Sequence, residues 1–226
     1  GDRWREPLRV LLGRTCGDAP WLNVDVVSGH GNVGYGRGHN LALLRTSADY
    51  HLVLNPDVIV QDDAVHAAIA YLQAHGEAGL LAPRVSGPDG RPEYLCKRYP
   101  TLLDLALRGF APRSIRKLFR ARLESYEMKV ETDGDVVFNA PLASGCCMFL
   151  RREPAQAIGG FCDDFFMYFE DFDLSVRLSR VARIVCVPAV RIVHLGGNAA
   201  RKGLRHIFMF AQSGWIFFAR HGWRIR

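Results

Sequence analysis

Short apolar runs rich in β-branched residues alternate with stretches of helical period along the 226-residue chain. That alternation predicts an α/β domain with a central, mostly parallel sheet flanked by helices. Two further observations agree. A composition of 49% hydrophobic and 23% charged residues suits one sizeable core, and there is no internal repeat. No uncharged apolar run reaches membrane-spanning length.

Taken in order, the expected strands are "LRVLL" (8–12), "VDVV" (24–27), "YHLVL" (50–54), "AGLLAP" (78–83), "CCMFL" (146–150) and "RIVCVP" (183–188). Each is short, apolar and bounded by turn-forming residues. Helices are expected over 40–47, over 62–75, after residue 168, and over 204–222, where apolar residues recur every three or four positions. Between 108 and 135 the rhythm breaks. This stretch is basic first and acidic later, and it reads as a mobile excursion, either a solvated surface segment or a flap over substrate. The domain proper is placed at 1–203, with the apolar segment 204–226 packing on it or lying on a membrane surface.

The formal charge of +6 and pI near 9.2 fit an anionic ligand, nucleic acid or an anionic membrane. Nucleic acid ranks last, because the basic stretch has neither a known binding module nor interleaved aromatics. Cys16, Cys96, Cys146, Cys147, Cys162 and Cys186 form no CxxC pair and no zinc spacing, so a reducing setting is expected. The chain opens at Gly1 rather than Met, which leads us to expect an incomplete N-terminus.

Four motifs carry chemistry. "GHGNVGYGRGHN" (29–40) brings flexible backbone to the start of an expected helix, where anions are favoured, although its spacing is neither a P-loop nor a dinucleotide fingerprint. A plain Gly-rich connection reads equally well. "YHLVLNPDV" ends a buried strand on Asn55-Pro56-Asp57, at the strand end where α/β proteins collect ligands; there Asp57 either binds a metal or simply forms a turn. "VHLGG" sets His194 beside glycines after a strand, as a metal ligand or as a structural histidine.

"FFMYFEDFDLSVRL" (165–178) places three acids in an apolar run. On a helix from about Tyr168, successive side chains rotate by roughly 100°, so Leu174, Leu178 and Val181 make the core stripe and Asp173 pairs with Arg177 at i,i+4. Asp171 falls in the first turn with no basic side chain in local reach, which is what a general base needs, since pairing with Arg lowers basicity. Glu170 lies between these cases. Capping of the helix start by all three acids is the other reading.

In this order, the elements resemble the family 2 inverting glycosyltransferases of GT-A fold, most closely their bacterial rhamnosyltransferase-like branch. The matching stretches are "GNVGYGRGHN" (31–40), "LNPDV" (54–58), "ASGCCMFLRRE" (143–153), "IGGFCDDFFMYFEDFDLSVRL" (158–178) and "VHLGG" (193–197). The resemblance implies that Asn55 and Asp57 form the Asp-x-Asp-like motif. Asp57 and His194 would then hold Mg2+ or Mn2+ on the donor diphosphate. It implies Asp171 as the base, Glu170 as an acceptor-orienting neighbour, and Ser144 and Gly145 at the acceptor. Asn32, Gly34, Arg37, Asn40 and Asp18 would serve the donor. The implied partners are a nucleoside-diphosphate sugar (dTDP-rhamnose or a UDP-sugar) and a glycan or lipid-linked glycan acceptor of bacterial surface polysaccharide. A cytoplasmic location is expected from the lack of an export signal, with peripheral contact at the inner membrane left open by the apolar final segment. The family's first strand and helix are expected to be absent, and the alternative expectation is a non-catalytic member that has lost donor binding.

Overall fold

The computed structural model describes residues 23–196 and 203–225. Two compact units, Gly1–Gly34 and Tyr35–Arg226, make up the chain. In the first, the described residues form neither helix nor strand, so the strand expected at 24–27 is not there. Val24 and Val27 are exposed, and a four-residue apolar run without a covering layer gains nothing from pairing. The strand expected at 8–12 and Asp18 lie outside the described residues.

The second unit opens with α1 (Tyr35–Leu43), five residues earlier than expected, so part of the Gly-rich motif is already helical. Then come β1 (Tyr50–Leu54), β2 (Val58–Val60), α2 (Ala64–Ala74) and β3 (Ala78–Ser86). Two short strands follow, β4 (Pro92–Glu93) and β5 (Cys96–Lys97). The expected excursion is helical: α3 (Leu102–Gly109), α4 (Arg113–Leu118), α5 (Arg120–Tyr126) and α6 (Lys129–Asp133). Thr101 starts α3 with a capping box closed by Asp104, and Arg122 of α5 reaches Asp104 at 2.6 Å. Next are β6 (Phe138–Asn139), β7 (Leu142–Ala143), β8 (Cys147–Arg151) and α7 (Arg152–Ala157). The chain ends with α8 (Glu170–Leu178), β9 (Arg183–His194) and α9 (Leu204–His221).

The main sheet runs β1-β8-β3-β9-β2, with β4 on β3 and β6 on β9, while β5 and β7 form a separate pair. Among the described residues only β3–β9 is parallel; β8 runs antiparallel to both neighbours, which corrects the expectation of a mostly parallel sheet. The reason is burial on both faces. Leu80, Met148, Leu150, Ile184 and Cys186 point to one core, whereas Leu81, Cys147, Phe149, Val185 and Val187 point to the other. Helices cover each face, so the strands read as continuous apolar runs, the pattern usual in parallel sheets whatever the sense of the neighbour.

A third cluster, Phe165, Phe169, Phe217 and Phe218, joins the segment before α8 to α9. Helix α8 starts at Glu170 and stops at Leu178, so Val181 lies beyond it and is 59% exposed, not part of the core stripe. Leu174 and Leu178 are fully buried as expected.

Candidate active site

The first half of the site is built by strand pairing. Strand β9 slips register at Pro188, pairing Pro83 with Val187 and then Arg84 with Arg191, which is what a residue lacking an N–H does to a ladder. Beyond the slip, β9 pairs with β2 and sets His194 opposite Val58. Leu195 N–H donates to the Asp57 carbonyl at 2.8 Å, closing the Asn55-Pro56-Asp57 turn against the end of β9. The outcome is Asp57 Oδ2 at 3.5 Å from His194 Nε2.

Two further features fit this pair to a divalent cation. His194 Nδ1 lies 2.8 Å from Glu93 Oε2, so with its proton on Nδ1 the ring turns the Nε2 lone pair toward Asp57. Asp57 Oδ1 is buried without a hydrogen-bond partner. An imidazole nitrogen with a carboxylate oxygen suits Mn2+ and accommodates Mg2+. Among the described residues no cluster of three or more His, Cys, Asp or Glu could enclose a metal, so the remaining positions fall to ligand and water.

The second half is the first turn of α8. Asp171 carries no basic partner; its Oδ2 accepts from Gly145 N–H at 2.9 Å, its Oδ1 from Phe172 N–H at 2.8 Å, and it also accepts from the Ser144 hydroxyl. Burial pushes its carboxyl above the usual range against these bonds. Glu170 is 6% exposed, and its Oε2 has no partner. Burial, then the neighbouring Asp171 charge, pushes Glu170 up to about 8. Two adjacent acids do not both ionise readily, and the N–H donors surround Asp171, so Asp171 holds the charge and Glu170 the proton near neutrality. Asp173 is fully buried between Arg177 Nε at 2.7 Å and His221 Nε2 at 2.8 Å, with Arg220 at 3.6 Å. It is structural.

Tyr35, which the sequence reading passed over, joins the two halves. Its hydroxyl lies 3.0 Å from Asn55 Oδ1 and donates a short bond to the Gly145 carbonyl, whose own N–H holds Asp171. Burial, with Asp171 next, pushes the phenol far above its usual range, so it stays protonated. A Cβ at Gly145 would sit 3.1 Å from the Tyr35 ring, so any larger residue there would push on that ring. Of the expected donor residues, Arg37 bonds to the Asp163 carbonyl, and Asn40 clamps Phe161 through both its amide and its carbonyl, at 2.8 and 2.9 Å. Both secure the turn preceding α8. Asn32 and Gly34 lie in the first unit, where Gly34 N–H donates to Asn32 Oδ1 at 3.2 Å. Neither Tyr35 nor Glu93 had a local sequence signal, because their partners lie 110 and 101 residues away.

A helix-flanked mixed sheet of this order is the GT-A fold, on which glycosyltransferases of known structure are built. Solved structures share it: GalNAc-T7 with UDP, GalNAc and Mn2+ (TM-score 0.58, 12% identity, covering 87% of this chain and 36% of that one). A mannosyltransferase from Pyrobaculum calidifontis with GDP-Man and Mn2+ scores 0.54 at 14% identity, covering 95% and 63%. The chain therefore spans less than two thirds of either solved chain.

Residues 18–159 match Glycosyl transferase family 2, and the chain belongs to that family. It is 28% identical to the N-acetylglucosaminyl-diphospho-decaprenol L-rhamnosyltransferase of Mycobacterium tuberculosis, over 96% of this chain and 77% of that protein. It is 27% identical to rhamnosyltransferase WbbL of Escherichia coli K12, over 82% and 68%.

Proposed function

We propose that this protein is a metal-dependent inverting glycosyltransferase. It moves a sugar, with rhamnose favoured by the names of its relatives, from a nucleoside-diphosphate donor such as dTDP-rhamnose or a UDP-sugar. The acceptor is a hydroxyl of a glycan or lipid-linked glycan in surface polysaccharide synthesis, reached from the cytoplasmic side with peripheral membrane contact. No helix among the described residues is long and apolar enough to cross a membrane. The observation that carries this reading is the Tyr35 bridge, which ties the Asn55-Pro56-Asp57 turn to the peptide that holds Asp171.

Asp171 takes the acceptor hydroxyl's proton as that oxygen attacks the anomeric carbon from the face opposite the diphosphate, and the bond to the diphosphate breaks with inversion. Ser144 and Gly145 hold the carboxylate in place for that transfer, and protonated Glu170 leaves Asp171 the sole anion of the pair. Asp57 and His194 would hold Mn2+ or Mg2+, which when bound offsets charge on the departing diphosphate. Calorimetric titration of UDP, GDP and dTDP with and without Mn2+ tests this. One nucleotide should bind only with Mn2+, and Asp57→Asn should weaken it by about tenfold or more. Absence of nucleotide binding at millimolar concentration would refute it.

A further inference from the structure

Helices α3–α6 line an open cleft of about 500 Å³ whose wall carries Arg108, Arg113, Arg116, Lys117, Arg120 and Lys129 against two carboxylates, Glu124 and Glu127. Both carboxylates are committed: Glu124 to Arg120 at 2.7 Å, and Glu127 to Arg108 at 3.3 Å and Lys97 at 3.7 Å. Among the described residues, Arg113, Arg116 and Lys117, all on α4, face no carboxylate within ion-pair distance. Three unpaired cations on one short helix repel one another and are best relieved by a multiply charged anion. The same segment exposes apolar side chains, Phe110 at 73% and Leu118 at 81%, next to these cations in the chain.

The cleft also communicates with the acceptor side of the site. Glu127 reaches Lys97 of β5; β5 pairs with β7 through Cys96 and Ala143; Ser144 N–H then donates to the Leu95 carbonyl, and Gly145 holds Asp171. Buried Tyr126 of α5 lies close enough to feel both Arg108 and Asp171.

We propose that this basic cleft receives the diphosphate of a polyprenyl-diphosphate-linked acceptor, with Phe110 and Leu118 meeting the first isoprene units. This rests on the transferase reading above and adds the part of the acceptor that the sugar-binding residues do not reach. Anion and alkyl chain together explain why arginines and exposed apolar residues share one segment.

The test is titration of the full chain with farnesyl diphosphate, with farnesol as the uncharged control, for the wild type, for Arg113→Gln/Arg116→Gln/Lys117→Gln and for Asp57→Ala. The triple variant removes no ion pair and should fold. Farnesyl diphosphate should bind the wild type and Asp57→Ala alike, farnesol should not bind, and the triple variant should lose about tenfold or more in affinity. Its Mn2+-dependent nucleotide binding should be unchanged. Equal farnesyl diphosphate affinity in the triple variant overturns the proposal. So does a triple variant that loses binding only to phosphatidylglycerol vesicles, which would assign the cleft to lipid headgroups. Failure of the transferase reading shows separately, as absent nucleotide binding in the wild type.

Discussion

The three adjacent acids separate by what surrounds each one. Asp173 faces cations, Asp171 faces N–H and hydroxyl donors, and Glu170 has an oxygen that faces no donor. Asp171→Asn should therefore lower turnover by about 100-fold to 10,000-fold while leaving nucleotide affinity within about twofold, read by steady-state kinetics and titration. Glu170 yields a pH prediction with a definite sign. Its carboxyl titrates at about 8 in the fold and near 4.5 when unfolded, so between these values the native state binds more protons and stability falls as pH rises. Glu170→Gln should flatten that slope and be more stable than wild type above pH 8 by on the order of a few kcal/mol. Thermal melts from pH 5 to 9 would show it, and parallel curves would refute it.

Elements act here by holding one another's turns. Asn40 of α1, which the resemblance assigns to the donor, holds Phe161 through both its amide and its carbonyl, and Gly160 fits beneath it at φ 67°. A Cβ on Gly160 would lie 2.4 Å from Asn40 Oδ1. Gly160→Ala should cost about 2 kcal/mol or more and lower the melting temperature by about 5 °C, measurable by calorimetry. What was legible in the sequence follows the distance over which each contact forms. The Asp173–Arg177 pair sits four residues apart and could be read from helical period, as could β1, which matches its expected bounds. The sense of β8 could not, because a strand buried on both faces looks the same in either direction. The contacts of Arg37 and Asn40 could not either, since each bonds more than 120 residues away.

At the scale of the whole second unit, the site is a seam between the sheet end and α8, and the last helix braces α8 from behind. Asp173 links α8 to α9 through His221, and Ser213 of α9 donates to the Met167 carbonyl at 2.7 Å. Asp173→Ala would leave Arg177 and His221 without their shared carboxylate in a buried setting. It should cost about 3–5 kcal/mol in urea unfolding, well above the effect of Asp171→Asn.

Tyr168 and Phe169, just before Glu170 and Asp171, sit in the left-handed region at φ 71° and 62°, a conformation costing roughly 1–3 kcal/mol per residue that only surrounding packing sustains. For Phe169 that packing is Phe217 and Phe218, near the far end of the chain. During synthesis the sheet and the Asp57–His194 pair can form as soon as β9 emerges. The turn bearing Asp171 is thus braced by a helix synthesised after β9, and its contacts with Phe217 and Phe218 can form only once α9 has been made.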